Sequence, residues 1–295
     1  LYAELGKKDQ RQIMQKTDIV ITRLRYQLNN AWFVKMPKLK IIASPTTGLN
    51  HINNKEAKER GIKIISLRGH TSFLKDIPST AEETIGLMLA LMRNIPWAFE
   101  DVKRGRWNRD AWKGYQVKDK TLGILGFGRL GKIVAVYART FGMTIIGCDP
   151  YIDAKTMKRY GMRKVDMGTL FKTADIVSVH TILNDDTHNL IKEEHLRIMK
   201  PSAYLINTAR GELIEKSALI KALEKKWIAG AALDVMWDED ASGVHLKKDP
   251  LFAYVKTHTN LLLVPHIGGA TYEAMHKTEE FIADRVSQEM GRPNV

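Results

Sequence analysis

Short apolar runs alternate with helical patterns along the whole chain, and this alternation limits the possible fold more than any other feature. The runs after residue 120 are TLGIL, MTIIGC, ADIVSV, AYLINT, AGAALD and NLLLVP. Runs that are apolar throughout and are separated by helices indicate βαβ units, in which a parallel sheet is buried on both faces. The sequence therefore predicts an α/β fold.

Each of these runs is followed by a residue or turn with distinctive chemistry. In an open parallel sheet the carboxyl ends of the strands lie along one edge, and ligands bind in the crevice there. The sequence therefore predicts a single ligand-binding edge, which is lined by the glycine-rich turn at Gly126, by Asp149, His180, Arg210 and Asp234, and by His266.

The glycine-rich turn has the pattern expected of a dinucleotide site. Gly126, Gly128 and Gly131 form GxGxxG between the run TLGIL and the helical stretch RLGKIVAVYARTFG. The first glycine permits a tight turn, the second lets the backbone approach a pyrophosphate, and the third allows close packing of helix on strand. Asp149 follows the next strand, where a carboxylate binds the adenosine ribose hydroxyls. The absence of an adjoining basic residue favours NAD over NADP.

Three further residues combine into a possible catalytic group. A guanidinium at Arg210 can bind a carboxylate through two hydrogen bonds, and His266 has the side chain best suited to proton transfer near neutral pH. Taken singly, Arg210 could form a surface salt bridge, Glu239 could belong to a solvated acidic loop, and His266 could be structural. Together they supply a carboxylate clamp, a proton donor and acceptor, and an acid that stabilises imidazolium.

The segments GFGRLG, INTARGELI, AALDVMWDED and VPHIGGAT, in this order, resemble the D-isomer-specific 2-hydroxyacid dehydrogenase family. Upstream, TTGLNHIN resembles its substrate loop and AEETIGLMLALMRN its interdomain helix. The resemblance implies a Rossmann doubly wound NAD domain and a smaller flavodoxin-like α/β substrate domain. It also implies that Arg210 binds the substrate carboxylate and carbonyl, that His266 is the acid/base, that Glu239 is its partner, and that Thr47 and Gly48 offer backbone donors.

The same resemblance implies the domain limits and the cofactor contacts. We expect a substrate-binding domain at 1–79 whose opening strand is absent, an NAD-binding domain at 80–268, and a truncated return to the first domain at 269–295. The expected NAD contacts are Gly126, Gly128, Arg129, Leu130, Gly131, Asp149, His180, Thr187, Thr208, Asp234 and Gly268. The chain departs from the family's usual pattern at Asp240, at HTIL after the third run, and at Asn50 and Asn53.

The net charge of +13 is compatible with nucleic acid, with a membrane surface or with an anionic substrate. The basic residues are scattered and are not interleaved with aromatics, so we expect a solvated basic surface and no nucleic-acid partner. No apolar stretch approaches the roughly 20 residues of a membrane span, and Cys148 is the only cysteine, so we expect a soluble cytoplasmic protein. We find no metal-binding motif and expect no metal.

The substrate is indicated by two arginines near the start of the sequence. Arg23 and Arg25 follow the apolar run DIVI and resemble the RxR loop of the D-3-phosphoglycerate dehydrogenases within the family. This favours interconversion of D-3-phosphoglycerate and 3-phosphohydroxypyruvate. If Arg23 instead contacts the carboxylate region and Arg25 faces solvent, the alternative is a glyoxylate or hydroxypyruvate reductase. A non-catalytic, NAD-binding, corepressor-like regulator is a further alternative.

The segment from Ala81 to Arg93 bears on the oligomeric state, because it carries apolar residues on several sides of the predicted helix. Such a helix is typically buried, and burial between subunits is one possibility. The sequence, together with the family resemblance, therefore predicts a homodimer.

Overall fold

A computed structural model describes residues 7–24, 26–239 and 243–291, with side chains described from residue 10 onward. The chain divides into two compact units. The first comprises Leu1–Ile77, Asp240–Val244 and Tyr272–Val295, and the second comprises Pro78–Glu239 and His245–Thr271. The sequence-based domain limits were placed after residues 79 and 268, while the two units change over after Ile77 and after Thr271. Asp240, where the family pattern has proline, lies outside the described residues.

The first unit is built on three parallel strands in the order β1-β2-β3, which are Ile19–Ile21, Ile41–Ser44 and Lys63–Ser66. Its helices are α1 (Lys7–Lys16), α2 (Asn30–Phe33), α3 (Asn54–Glu59), α4 (Thr71–Leu74) and α13 (Tyr272–Glu289). The central strand β2 is buried along its whole length. Its side chains alternate between two apolar clusters, because successive residues of a strand point to opposite faces.

Helix α13 completes one of these two clusters. It packs against β2 and β3, and its residues Ala274, Ile282 and Val286 are buried with Ile41 and Ile65 of the strands. The other face of the sheet is covered by α1, α2 and α3, and that cluster is lined by Leu28, Phe33, Ile42, Ile52, Ala57 and Ile62 among others. The first unit therefore draws its core from both ends of the sequence.

The second unit contains a seven-stranded, wholly parallel sheet in the order β10-β9-β8-β7-β4-β5-β6. The strands are β4 (Thr121–Leu125), β5 (Thr144–Cys148), β6 (Met162–Lys164), β7 (Ile176–Val179), β8 (Tyr204–Asn207), β9 (Gly230–Leu233) and β10 (Leu261–Leu263). The chain runs outward from β4 to one side, returns, and continues from β7 to the other side. Strands β4 and β7 are therefore neighbours at the point where the strand order reverses, as in a doubly wound sheet.

Helices cover both faces of this sheet. They are α5 (Ser79–Met92), α6 (Ile95–Lys103), α7 (Arg129–Thr140), α8 (Ala154–Arg159), α9 (Met167–Thr173), α10 (Glu193–Arg197), α11 (Lys216–Glu224) and α12 (Pro250–Val255). Short 3-10 segments lie at Arg109–Trp112, Gly211–Leu213 and Val244–Lys248. Strands β7, β8 and β9 are buried at every residue, because they are largely apolar and both of their faces are packed; the polar exceptions are Ser178 and Asn207.

Helix α5 packs against α7, β8 and β9 within its own chain. Of the six apolar residues on which the dimer prediction rested, five are buried there and Leu89 is partly buried against the same core; the five are Ile85, Leu87, Met88, Leu91 and Met92. The argument that these residues leave apolar surface for a second subunit is therefore wrong. Apolar residues occupy several sides of α5 because the helix packs into the core of the second unit. The homodimer therefore needs separate support.

Candidate active site

The turn after β4 depends on two of its three glycines for its own packing. Gly126 has φ +92°, and a Cβ there would lie 2.7 Å from the carbonyl carbon of His180. A Cβ on Gly131 would lie 2.4 Å from the carbonyl oxygen of Gly126, which explains how α7 packs so closely on β4. A Cβ on Gly128 would meet no atom within 4 Å. The protein's own packing therefore leaves the side-chain position of Gly128 free, as the close approach of a ligand requires.

Asp149 lies directly after β5 and is hydrogen-bonded to the same turn. Its Oδ2 accepts from the backbone N–H of Phe127 at 2.8 Å, and its Oδ1 accepts from the N–H of Tyr151 at 2.8 Å. Each oxygen keeps a further lone pair, so the carboxylate can still accept hydrogen bonds from ribose hydroxyls. The structure thus fixes this acid beside the amino end of α7, where the helix dipole favours an anion.

His180 follows β7, beside the glycine turn. Its Nε2 is 2.8 Å from the hydroxyl of Ser178, and its backbone N–H donates to Leu125. Its Nδ1 is buried and has no hydrogen-bond partner within the described part of the chain. Burial lowers the pKa of His180 to about 4. The imidazole is therefore neutral at physiological pH, with one ring nitrogen unused.

The remaining expected cofactor residues differ in how their side chains are used. The Thr187 hydroxyl donates to the carbonyl oxygen of Ile182 at 2.6 Å and so closes its own turn. The Thr208 hydroxyl is buried and lies 2.8 Å from that of Thr84 on α5. Arg129 is half-buried at the start of α7, where burial lowers its pKa, and Leu130 packs against the core. The hydroxyl of Thr208 thus links the end of β8 to α5 through Thr84.

Arg210 follows β8 and caps the short Gly211–Leu213 turn. Its Nη1 donates to the carbonyl oxygen of Ala209 at 2.6 Å, and its own carbonyl oxygen accepts from the Asn207 side chain at 2.8 Å. Burial lowers the pKa of Arg210, and the nearby carboxylates of Glu239, Glu212 and Asp234 oppose that effect. The guanidinium remains charged, as arginine does in proteins.

His266 and Glu239 form a direct pair. His266 Nδ1 lies 2.5 Å from Glu239 Oε2, while Glu239 Oε1 accepts from the Met236 N–H at 2.7 Å. Burial raises the pKa of Glu239, but the hydrogen bond and charge of His266 outweigh this, so its net pKa is lowered. The pair is partly buried, with side chains 22% and 31% exposed, so a small ligand can still reach the imidazole.

Asp234 and Gly268 lie at the neighbouring strand ends. The buried Asp234 carboxylate accepts from the N–H groups of Ile267 at 2.6 Å and of Gly268 at 2.8 Å. Burial raises the pKa of Asp234, against the lowering effect of these hydrogen bonds and of His266, and Glu239 raises it further.

Three residues near this edge were missed by sequence reasoning. Glu83 is half-buried on α5, and burial followed by the charge of Asp234 raises its pKa. Ser178 contacts His180, and Glu212 has a buried Oε2 without a hydrogen-bond partner among the described residues. Glu83 and Ser178 lie inside a helix and a strand, so a search for polar residues that directly follow apolar runs does not find them. Glu212, within the ARGEL turn, could have been noticed as an acid beside Arg210.

The predicted substrate residues belong to the first unit. Thr47 and Gly48 follow β2, and their backbone N–H groups donate to no residue that the structure describes. The loop is held by Thr46, whose hydroxyl donates to the carbonyl oxygen of Gly48 at 2.8 Å. Arg23 Nε donates to Glu279 Oε1 at 2.9 Å and its Nη2 to the carbonyl of Met275 at 3.1 Å. Arg25 lies outside the described residues.

The glycine turn of the second unit fits a dinucleotide. Gly126 and Gly131 are required by contacts within the protein, whereas the space beside Gly128 is empty and can admit a ligand. The turn at Gly126 to Gly131, the first turn of α7 and Asp149 would hold such a cofactor. In the described part of the chain, no cluster of three or more histidine, cysteine or acidic residues could hold a metal ion, and no helix is long and apolar enough to cross a membrane.

Comparison with known proteins agrees with this geometry. The family model of the D-isomer specific 2-hydroxyacid dehydrogenase NAD binding domain matches residues 85–268, which is more than half of the chain. The chain therefore belongs to the D-isomer-specific 2-hydroxyacid dehydrogenase family, and most of the matched residues lie in the second unit. The predictions of an α/β Rossmann fold and of NAD as cofactor are confirmed.

Individual relatives come from more than one branch of the family. A D-3-phosphoglycerate dehydrogenase of Methanocaldococcus jannaschii is 35% identical over 285 residues, covering 96% of this chain and 52% of that protein. A glyoxylate reductase of Thermococcus litoralis is 38% identical, covering 92% of this chain and 80% of its own. The structure of D-lactate dehydrogenase from Aquifex aeolicus with NAD and lactic acid has a TM-score of 0.80 at 26% identity, covering 98% and 87%. The chain thus spans about half the length of the phosphoglycerate dehydrogenase relative.

Proposed function

We propose that the chain interconverts a small D-2-hydroxy acid and its 2-keto acid with NAD as the cofactor. The observation that carries this proposal is the His266–Glu239 pair, with Nδ1 and Oε2 2.5 Å apart, at the same sheet edge as Arg210 and the dinucleotide turn. The three catalytic roles assigned from the sequence are supported by this arrangement and by family membership. Bound NADH supplies the hydride for reduction of the keto acid, and NAD accepts it in the reverse direction.

The protein's own side chains bind the substrate and transfer the proton. Arg210 binds the substrate carboxylate and polarises its carbonyl, since guanidinium matches the geometry of a carboxylate. Because His266 Nδ1 is engaged with Glu239 Oε2, its Nε2 is the nitrogen left to exchange a proton with the substrate oxygen. Glu239 is itself held by the Met236 N–H, so the imidazole is oriented through two successive hydrogen bonds. Protonated His266 donates on reduction, and neutral His266 accepts on oxidation.

A panel of 2-keto acids tests the proposal through the rate of NADH oxidation. Wild-type protein is expected to turn over at least one of them. His266→Ala should lose a factor of about 100 to 10,000 in kcat, which is the usual contribution of general acid/base catalysis. His276→Ala is the matched control, because His276 is an exposed histidine on α13 that pairs with Glu280. Turnover in His266→Ala within about tenfold of wild type would show that the proton-transfer assignment is wrong.

The same panel separates an enzyme from a corepressor-like regulator. A regulator on this scaffold would bind NAD tightly and reduce none of the keto acids. The presence of Arg210, Glu239 and His266 favours the enzyme, because the proposed proton transfer needs all three residues. NAD binding by titration calorimetry should therefore be measured alongside the rates.

The leading substrate is 3-phosphohydroxypyruvate, through the predicted phosphate contacts of Arg23 and Arg25. One observation favours the smaller keto acids as a second candidate. Arg23 is already held by Glu279 and by the carbonyl of Met275 within the first unit. Comparing kcat/KM for 3-phosphohydroxypyruvate, hydroxypyruvate and glyoxylate decides between them. If the phosphorylated acid is not preferred, or if Arg25→Ala weakens all three substrates equally, glyoxylate or hydroxypyruvate is the substrate.

We also propose a homodimer, on different grounds from those given by the sequence. Ile95, Phe99 and Val102 are exposed on α6 at a spacing that places them on one helix face. An apolar helix face of this kind is typically covered by another protein surface. Light scattering at micromolar concentration should give the dimer mass for wild type and a lower mass for Phe99→Asp. Tyr272→Asp, at an isolated exposed aromatic, is the control.

We also propose a cytoplasmic location, which is supported by the single cysteine.

A further inference from the structure

The backbone of His266 adopts a conformation that residues other than glycine rarely take. Its φ is 54°, in the left-handed region, where the Cβ crowds the neighbouring carbonyl and the conformation costs free energy. Such a conformation persists only where surrounding contacts hold it. The contacts that hold the His266 turn are therefore part of the machinery that places the imidazole.

Two local contacts hold part of this turn. The His266 N–H donates to the carbonyl oxygen of Val264 at 3.1 Å, which closes a tight turn at Pro265. The Ala270 N–H donates to the carbonyl oxygen of Ile267 at 2.8 Å. Neither contact involves the N–H groups of Ile267 and Gly268, which follow the imidazole directly.

Both of these N–H groups are bound by one carboxylate from the neighbouring strand. Asp234 Oδ1 accepts from Ile267 at 2.6 Å, and Oδ2 accepts from Gly268 at 2.8 Å. Strands β9 and β10 are paired with Leu233 opposite Leu263, and the Val264 N–H extends that pairing to the carbonyl of Leu233. Asp234 therefore leaves β9 at the level where the chain turns after β10, and its carboxylate bridges the two strand ends.

We propose that Asp234 is a positioning residue, which holds the His266 turn in its left-handed conformation by binding two successive backbone N–H groups. This proposal rests on the assignment of proton transfer to His266 and is separate from any contact of Asp234 with NAD. A carboxylate suits the role because it accepts with both oxygens. An asparagine at the same position would direct an NH2 group at one of two backbone donors.

Gly268 is explained by the same arrangement. A Cβ on Gly268 would lie 2.8 Å from Asp234 Oδ2 and 3.1 Å from Cγ2 of Thr80 on α5. The position has no left-handed φ to account for the glycine, so close approach of the carboxylate is the reason for it. At Gly269 an added Cβ would meet no atom within 4 Å, and that φ is also ordinary. The chain thus offers a perturbing variant and a matched control at adjacent positions.

The first test measures the turn itself and needs no activity. Amide hydrogen exchange at residues 267 and 268 should be slow in wild type and in Gly269→Ala. In Asp234→Asn at least one of the two amides should exchange faster, and in Gly268→Ala the amide of residue 268 should do so. If both amides stay fully protected in Asp234→Asn, the carboxylate does not hold the turn and the proposal is overturned. Because this readout is independent of turnover, it separates failure of the clamp from failure of the proposed function.

The second test connects the turn to the chemistry. With saturating NADH, Asp234→Asn should lower kcat about 10- to 100-fold, the scale expected when a reacting group is misplaced by about 1 Å. The KM of the keto acid should stay within about threefold. A merely structural role would lower the melting temperature and leave kcat intact below it. Gly268→Ala should follow Asp234→Asn, and Gly269→Ala should follow wild type.

A double variant tests whether the loss of kcat in Asp234→Asn arises through His266. If Asp234 acts through His266, adding Asp234→Asn to His266→Ala should cost less than about threefold in kcat, because residues that act as a unit are not additive. A full further loss in that background would mean that Asp234 acts elsewhere, and the positioning role would be overturned. The dissociation constant of NAD, measured for every variant, keeps cofactor loss from being mistaken for this effect.

Discussion

The partly buried imidazole of His180, whose Nδ1 is shielded from solvent, should make the free energy of unfolding depend on pH in a defined window. Burial lowers the pKa of His180 from 6.5 to about 4. In the unfolded chain the imidazole takes up a proton near pH 6.5, whereas in the folded protein it does so only near pH 4. Between these values the unfolded state binds more protons than the folded state, so stability falls as the pH falls.

The size of the effect follows from the shift in pKa. At about 1.36 kcal/mol for each pH unit, the full window corresponds to about 3 kcal/mol, and the part between pH 6.5 and pH 5 to about 2 kcal/mol. About one pH unit above 6.5 the imidazole is neutral in both states, and the contribution no longer varies. A change of about 2 kcal/mol is large beside a typical total stability of about 5 to 15 kcal/mol.

Urea unfolding without cofactor, at several pH values from about 7.5 to 5, measures this contribution. His180→Gln removes the titrating group, so the difference in unfolding free energy between wild type and variant should change by about 2 kcal/mol across the series, in favour of the variant at low pH. Ser178→Ala is the control. It removes the hydroxyl 2.8 Å from His180 Nε2 but keeps the imidazole buried, so its difference from wild type should be nearly constant. Parallel curves for wild type and His180→Gln would refute the reasoning.

Four further predictions concern the cofactor turn and the proton-transfer pair. Glu239→Gln replaces the carboxylate that lies 2.5 Å from the His266 imidazole with a neutral amide, so kcat for reduction of the keto acid should fall; a kcat equal to that of wild type would contradict the pairing. Asp149→Ala should narrow the preference for NADH over NADPH in kcat/KM, and a wild type that prefers NADPH would contradict the ribose assignment. Gly131→Ala should lower the melting temperature, because its Cβ would lie 2.4 Å from the carbonyl oxygen of Gly126. Gly128→Ala should leave the melting temperature unchanged and weaken NAD binding in a titration.

The sequence predicted the strands that are buried on both faces, but it did not predict the mostly exposed strand β6. Runs such as ADIVSV and AYLINT are recognisable because every residue of β7 and β8 is buried, and burial on both faces requires an apolar run. Strand β6 has the sequence MRK, in which only Met162 is buried, since it lies at the edge of the sheet. A three-residue polar strand is too short to show a hydrophobic periodicity in the sequence. It is recognised as a strand only from its pairing with β5 in the structure.

The residues of the site were predictable where the chain leaves a strand. Asp149, Arg210 and His266 each follow an apolar run, so a parallel sheet necessarily brings them to one edge. The engagement of Arg23 with Glu279 was not predictable, because those two residues are 256 positions apart and their contact depends on how α13 packs. The same holds for Thr84 and Thr208, whose hydroxyls meet only because α5 lies against β8.

The arrangement of α13 has a consequence for the order in which the chain can fold during synthesis. The strands of the first unit are made early, yet Ala274, Ile282 and Val286 of its core come from the last described helix. All of the second unit, from Pro78 to Thr271, emerges from the ribosome before that helix does. The part of the apolar face of β2 and β3 that α13 covers therefore lacks that cover throughout synthesis of the second unit, and transiently exposed apolar surface of this kind promotes aggregation. A chain that stops at Thr271 should accordingly keep a protease-resistant second unit while residues 10–77 are digested.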